Sequence, residues 1–335
     1  MTEKVINKPK SSANRFLDPV IRYFKDNAGI LLGLFIIGLF LEIYTKGIFL
    51  SQKNVMNVLR QISINANLAC AMTMIIILGG IDLSVGSGVA LSGCITGSLI
   101  AFNEWSILPA CIVGILVVTA IGLFNGAVIA NTPIPPFIVT LATMNIARGA
   151  AYVYTGGQPI RIMSDAFSEI GMGYWGPIPR PVIYSVVFLA VTGFILYKTK
   201  LGRHIYAVGG NREAARFAGI KIKRVLTFAY TFSGLMAGIS GVVLAARMFS
   251  GQPTAGDGAE MDAIAATVLG GTSMMGGSGR IGGTIIGALI IGILSNGLNL
   301  MNVNSFWQYI VKGIVILLAV YIDVIKNSRA VKSGK

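Results

Sequence analysis

The sequence predicts an all-helical membrane bundle of about ten spans, and three observations carry that expectation. Of the 335 residues, 54% are hydrophobic and only 12% charged, about half the charge of an ordinary soluble domain. Apolar runs near the roughly 20 residues needed to cross a bilayer recur from end to end. The 27 Lys and Arg crowd between certain runs and avoid others, as insertion arranges when it retains basic loops inside.

In chain order, residues 1–27 read as a cytoplasmic tail carrying Lys4, Lys8, Lys10, Arg15, Arg22 and Lys25. They make a poor secretory signal, because the following apolar run is long enough to span and shows no small-x-small cleavage site. The first run, 28–44, contains Glu42 near its outer end, and the second, 62–80, carries Asn65, Asn67 and Thr73. Runs 87–102 and 106–130 follow, the latter with Asn125, then 137–155 with Thr140, Thr143, Asn145 and Arg148, and 182–197. Beyond the basic segment 198–224 lie 226–246, 261–275, 283–300 with Asn296 and Asn299, and 306–323 with Lys312. The third and eighth runs are short, which suits tilted, broken or re-entrant segments sheltered by protein or water. Residues 28–323 form one membrane domain in this reading, and 324–335 a C-terminal cytoplasmic tail.

With ten spans and the N-terminus inside, inner segments hold nineteen Lys and Arg. Outer segments hold six: Lys46, Lys53, Arg60, Arg161, Arg180 and Arg247. That asymmetry places both termini in the cytoplasm, and eight spans would keep the same parity. Trp105, Trp175 and Trp307 then fall at the outer boundary, where an amphipathic ring is comfortable. The net charge of +14 is explained by insertion bias, so no nucleic-acid partner is expected.

Eight of the Lys and Arg sit between Lys198 and Arg224, in KTKLGRHIYAVGGNREAARFAGIKIKR. Gly209 and Gly210 are expected to give a turn, Asn211 to cap a helix, and Arg212 to Gly219 to form a short helix closed by glycine. Arg212 and Arg216 would share a face with Glu213 beside them. This island is either a solvated topology signal or a surface gripped by another protein.

Glycine pairs four apart, Gly29/Gly33, Gly122/Gly126, Gly234/Gly238 and Gly283/Gly287, put small residues on one helix face and predict close helix contact. These faces either pack the bundle, or some of them slide or form a subunit interface during a transport cycle. Leu78–Gly88 (LGGIDLSVGSG) and Leu269–Gly279 (LGGTSMMGGSG) echo one another at six of eleven positions. The echo reflects a duplication, similar turns under one constraint, or chance in a glycine-rich chain. Asp82 and Ser84 in the first copy suit helix capping.

Enzymatic signals are scarce. His204 is the sole histidine and reads as solvated or phosphate-facing. Cys70, Cys94 and Cys111 lack CxxC spacing and read as buried small residues. Asp257, Glu260 and Asp262 at a helix start serve either as caps or as a docking patch for an external partner. No GxxxxGK[ST] occurs, so ATP-driven work needs a separate motor. No catalytic, cofactor or metal site is expected on the chain.

Six segments carry a specific resemblance: GGIDLSVGS at 79–87, PPFIVTLATM at 135–144, RGAAYVYTGGQPI at 148–160, LGRHIYAVGGNREAARFAGIKI at 201–222, QPTAGDGAEMDAIAATVLGGTSMMGGSGRIGGTIIGALI at 252–290 and NGLNLMNVNSFWQYIVKGIVILLAV at 296–320. Together they resemble a bacterial ribose-type ABC transporter permease of the branched-chain amino acid and monosaccharide permease family, over nearly the whole chain after residue 28. The resemblance implies a bacterial inner-membrane importer subunit working with a cytoplasmic ATP-binding protein, which carries ATP and Mg, and with an external sugar-binding protein. It also implies two permease units, most simply a homodimer in lipid. It points to Gly209, Gly210, Asn211, Arg212, Glu213, Ala214, Ala215, Arg216 and Gly219 as the ATPase-coupling contact.

A monosaccharide is neutral and studded with hydroxyls, so amides and hydroxyls are expected to line its route. Asn65, Asn67, Thr73, Asn125, Thr140, Thr143, Asn145, Asn296 and Asn299 are the candidates, each alternatively an interhelical hydrogen bond. Arg148 and Lys312 either snorkel or pair structurally, with Glu42 an available partner, or act in transport. A rival reading is a secondary transporter of a small polar solute driven by an ion gradient; a membrane-bound enzyme is disfavoured by the few ionisable groups in the spans.

Overall fold

The computed structural model describes residues 28–332; the predicted tail 1–27 and residues 333–335 lie outside the described residues. Thirteen helices appear among them, in the order α1 (Ala28–Tyr44), α2 (Gln52–Ile77), α3 (Val85–Ala101), α4 (Ile107–Asn131), α5 (Pro136–Thr155), α6 (Asp165–Met172), α7 (Arg180–Lys198), α8 (Lys200–Gly210), α9 (Arg212–Phe217), α10 (Ile222–Met248), α11 (Ala259–Leu269), α12 (Ile281–Leu300) and α13 (Ser305–Lys332). Each of the ten apolar runs overlaps one of these helices, the eighth only as far as Leu269. Four helices, α4, α7, α10 and α12, are long and apolar enough by themselves to cross a membrane. The final helix continues to Lys332, past the expected end of the last span at 323.

At the centre lies α2, whose residues 62–77 are buried almost all round. It is wrapped by α7, α10, α11 and α12. The principal contact is between α4 and α10. Along α4, Ala110, Gly114, Val118, Gly122 and Gly126 recur every four residues and are buried. Gly122 rests on Gly234 with no room for a side chain between the backbones, Gly126 on Thr227, and Gly238 of α10 on Ile115. Small residues allow that approach, and dispersion between backbones replaces the hydrophobic drive that lipid removes. The opposite face of α4 exposes Leu108, Leu116, Leu123 and Phe124, as a lipid-facing surface should. Gly283 and Gly287 of α12 seat likewise on Gly270 and Ala266, whereas Gly33 has open space before it.

One short helix, α11, breaks the regular bundle. Gly97 near the end of α3 packs against Gly251, and Gly86 near its start packs against Gly256 and Glu260. The non-helical stretch 251–258 therefore descends beside α3, and α11 begins at the level where α3 begins. The eighth run, 261–275, is thus a helix of 11 residues ending at Leu269, not a full span; Gly270 and Gly271 divert the chain into a turn. This is the broken, protein-sheltered segment that its shortness suggested.

A small layer covers the end of the bundle away from the basic island. There β1 (Ile160–Arg161) pairs antiparallel with β4 (Ser250–Gly251), and β2 (Tyr174–Trp175) with β3 (Ile178–Pro179). The Arg60 guanidinium donates to the Met172 carbonyl at 3.0 Å and lies 4.6 Å from the centre of the Tyr174 ring. That tie fixes α6 over the top of α2. Trp105, Trp175 and Trp307 are all exposed and all lie towards this end. Cys70, Cys94 and Cys111 are free and buried, packing as small apolar groups.

Candidate functional site

The basic island folds as two helices laid across one end of the bundle. Thr199 caps α8 by accepting from the Gly202 amide at 3.1 Å, and α8 buries Gly202, Ile205 and Val208 while turning its charges outward. Asn211 then caps α9, its side-chain oxygen accepting from the Ala214 amide at 2.9 Å. Gly219, at φ +79°, adopts the left-handed conformation that ends the helix as expected. Within α9 only Ala215 is buried; Arg212, Glu213, Ala214 and Arg216 are exposed.

Gly209 and Gly210 do not form the expected turn: both are helical residues at the end of α8. Their smallness serves close approach. A side chain on Gly209 would fall on the Ile77 carbonyl at the foot of α2 and within 2.9 Å of the Gly277 nitrogen. Gly277, at φ +75°, donates its amide to the same Ile77 carbonyl at 2.8 Å. The two echoing segments, 78–88 and 269–279, thus converge, and the end of α8 lies against both. The Tyr206 hydroxyl adds a bond to the Gly279 carbonyl at 2.8 Å. Burial, reinforced by the Tyr197 phenol and opposed by Arg280, pushes Tyr206 up to about 12, so it remains a neutral donor. The Ile281 amide donates to the Tyr197 hydroxyl at 2.8 Å, fixing the start of α12 to α7.

Sequence reasoning missed Phe217. It stands 83% exposed at the end of α9, and its aromatic character in a basic segment was the available signal. Glu213 pairs with its neighbour Arg216 at 3.0 Å in an exposed ion pair.

The predicted polar route does not assemble into one line. Thr73 bonds Thr284 at 2.8 Å between α2 and α12. Asn296 and Asn54 exchange two bonds, at 3.0 and 2.9 Å, with both side chains buried. Thr140 bonds the Ile81 carbonyl at 3.2 Å, and Thr143 returns to its own helix. Asn145 is exposed and bonds its own helix at Leu141; exposed Asn299 accepts from Gln308 at 2.8 Å. Asn125 donates to Ser84 at 3.0 Å, joining a buried group in which Asp82 accepts from Ser84 at 2.6 Å and Ser233 at 2.7 Å. Asn67 is buried with its side-chain oxygen unpartnered. Of the nine, only Asn65 lines a described cavity, one of about 410 Å³ that also touches Gln61, Arg247, Asp257 and Asp262.

The acidic trio divides. Asp257 is exposed, but Glu260 and Asp262 are each only 8% exposed, which removes both from a surface that an external protein could grip. Asp262 pairs with Lys312 at 2.9 Å, so Lys312 is a paired ion rather than a snorkelling one. Arg148 donates to the Pro253 and Ala255 carbonyls at 2.6 and 2.8 Å, bracing the descending stretch. Glu42 is partner to neither; it accepts from the Leu50 amide at 2.9 Å.

Residues 54–320 match the family described as branched-chain amino acid transport system / permease component. The chain is 46% identical to the ribose import permease protein RbsC of Bacillus subtilis (strain 168) over 297 residues, covering 88% of this chain and 92% of the relative. It is 46% identical to RbsC of Escherichia coli (strain K12), over 82% of this chain and 87% of the relative. To the L-arabinose transport system permease protein AraH of that strain it is 40% identical, over 78% and 80% respectively. No solved structure matches the chain. A many-helix bundle with glycine-packed, lipid-facing helices and a sequence match running through nearly all of its membrane domain makes this chain a member of the branched-chain amino acid transport system permease family.

Proposed function

We propose that the chain is the membrane-spanning subunit of an ATP-driven importer that carries a neutral monosaccharide, ribose first, into the bacterial cytoplasm. The observation that carries this reading is the 46% identity to ribose import permeases across nearly nine-tenths of the chain. The chemistry is delivered by others: a separate ATP-binding protein hydrolyses ATP with Mg, and an external binding protein supplies the sugar. Two copies of the chain form the membrane unit, seated in lipid through the apolar faces of α4 and α7.

In this reading the basic end faces the cytoplasm, with both termini on that side, because insertion retains Lys and Arg there. The segment from Gly209 to Gly219 is the contact with the ATPase. Its support is mechanical: α9 is exposed, while the adjoining end of α8 lies against the feet of α2 and α11 without intervening side chains. A push on α9 is therefore delivered as rigid-body displacement to the foot of α2 and to the turn after α11. At the opposite end, Asp257 is the one residue of the acidic trio left exposed for the binding protein.

The test is reconstitution in lipid vesicles with each component omitted in turn. D-ribose uptake is expected only when the chain, its ATPase, its binding protein and ATP are all present. Uptake by the chain alone under an imposed proton or sodium gradient contradicts the proposal.

A further inference from the structure

A cavity of about 560 Å³ lies between the start of α11 and the first turns of α13, within the roughly 300–1,000 Å³ of small-molecule sites. On α13 its wall is formed by Ser305, Gln308, Tyr309, Lys312, Gly313 and Ile316, one stripe at helical spacing. The other face of α13 is apolar and outward: Phe306, Ile310, Ile314 and Leu317 are all exposed. A helix in lipid turns polar groups towards protein or a water-filled space. Gly313 has nothing within 4 Å of where a Cβ would stand, so that space is open.

Facing this stripe are Asp257, Glu260 and Asp262 from the α11 side. Tyr309 reaches Asp257 at 3.3 Å and Lys312 holds Asp262 at 2.9 Å. Glu260 is more than nine-tenths buried, and its Oε2 has no hydrogen-bond partner. That oxygen lies on the Gly86 side of the cavity wall, so the groups open to the cavity are those of the α13 stripe with Asp257 and Asp262.

We propose that this cavity is a station where the permease itself holds the monosaccharide; the inference rests on the import reading above. An anion is disfavoured by three carboxylates, with Lys312 already engaged by Asp262. A hydroxyl both donates and accepts, so neighbouring sugar hydroxyls match the carboxylate and ammonium that stand side by side. The Tyr309 ring offers an apolar face to the sugar C–H groups, and Gln308 adds a donor and an acceptor. The Asp262–Lys312 pair thereby acts on the sugar rather than on the binding protein.

The test uses the complete transporter in vesicles, reading D-ribose delivered per ATP hydrolysed. Tyr309→Ala and Lys312→Met are expected to lower that ratio at least tenfold, while Tyr309→Phe, which keeps the ring, stays within twofold of wild type. Complex assembly and hydrolysis stimulated by the binding protein should be unchanged. In a chain whose three native cysteines are replaced, Gly313→Cys should react with a small thiol reagent, and millimolar D-ribose should slow the reaction. A wild-type ratio in both Tyr309→Ala and Lys312→Met overturns the proposal, as does a loss that only follows the amount of assembled complex. Protection of Gly313→Cys by sodium or magnesium salts but not by D-ribose reassigns the cavity to a cation and also overturns it. Failure of the wild-type transporter to move ribose refutes the import reading instead.

Discussion

The amide of Gly277 donates to the carbonyl of Ile77 at 2.8 Å, joining the turn after α11 to the foot of α2. Gly209 lies against both partners of that bond. The contact makes one backbone-packed plate out of three glycine-bearing segments that are distant in the sequence, and α9 projects from its edge.

Orientation is tested by labelling intact cells. With the native cysteines replaced, Arg212→Cys and Lys332→Cys should be shielded from an impermeant thiol reagent, and Asn103→Cys should react. Reaction of Arg212→Cys from outside reverses the assigned sidedness.

Phe217 and Glu213 should separate in their effects. The exposed Glu213–Arg216 pair is worth less than about 1 kcal/mol to folding, so Glu213→Lys should insert and fold normally. Phe217→Ala removes an outward aromatic and should weaken ATPase association about tenfold, within the range for a single anchoring residue. Pull-down titration of the purified ATPase reads both variants. Wild-type affinity in Phe217→Ala together with Glu213→Lys moves the contact elsewhere.

The Asn54–Asn296 pair should behave as structure rather than as a sugar contact. Asn296→Ala leaves a buried amide unsatisfied, at a cost of roughly 1–3 kcal/mol, and should lower the Tm while leaving ribose delivered per ATP unchanged. A changed ratio at an unchanged Tm returns Asn296 to the transport route.

Hydropathy alone located a helix for each of the ten runs, because the bilayer's length requirement leaves its mark on consecutive residues. The α9 cap and its glycine stop were legible for the same reason: Asn211 and Gly219 act on immediate neighbours. The role of Gly209 was not, since a glycine that ends a turn and one that admits a distant backbone look alike in sequence. Asn296 and Thr73 likewise read as route-lining polar groups, and their actual partners, Asn54 and Thr284, lie on other helices. The α13 stripe went unread because only Lys312 among its residues stood out by charge. Its meaning emerges only when α11 supplies the facing carboxylates.

The most direct test of the coupling account is the ratio of ribose delivered to ATP hydrolysed in Gly209→Ala, measured on transporter whose assembly is verified. One methyl group at Gly209 points inward at Ile77 and Gly277 and forces the end of α8 away from them, while the exposed residues of α9 stay unchanged. The account predicts that the ATPase still binds and hydrolyses ATP, while ribose delivered per ATP falls at least tenfold. A ratio equal to wild type in fully assembled Gly209→Ala transporter contradicts it.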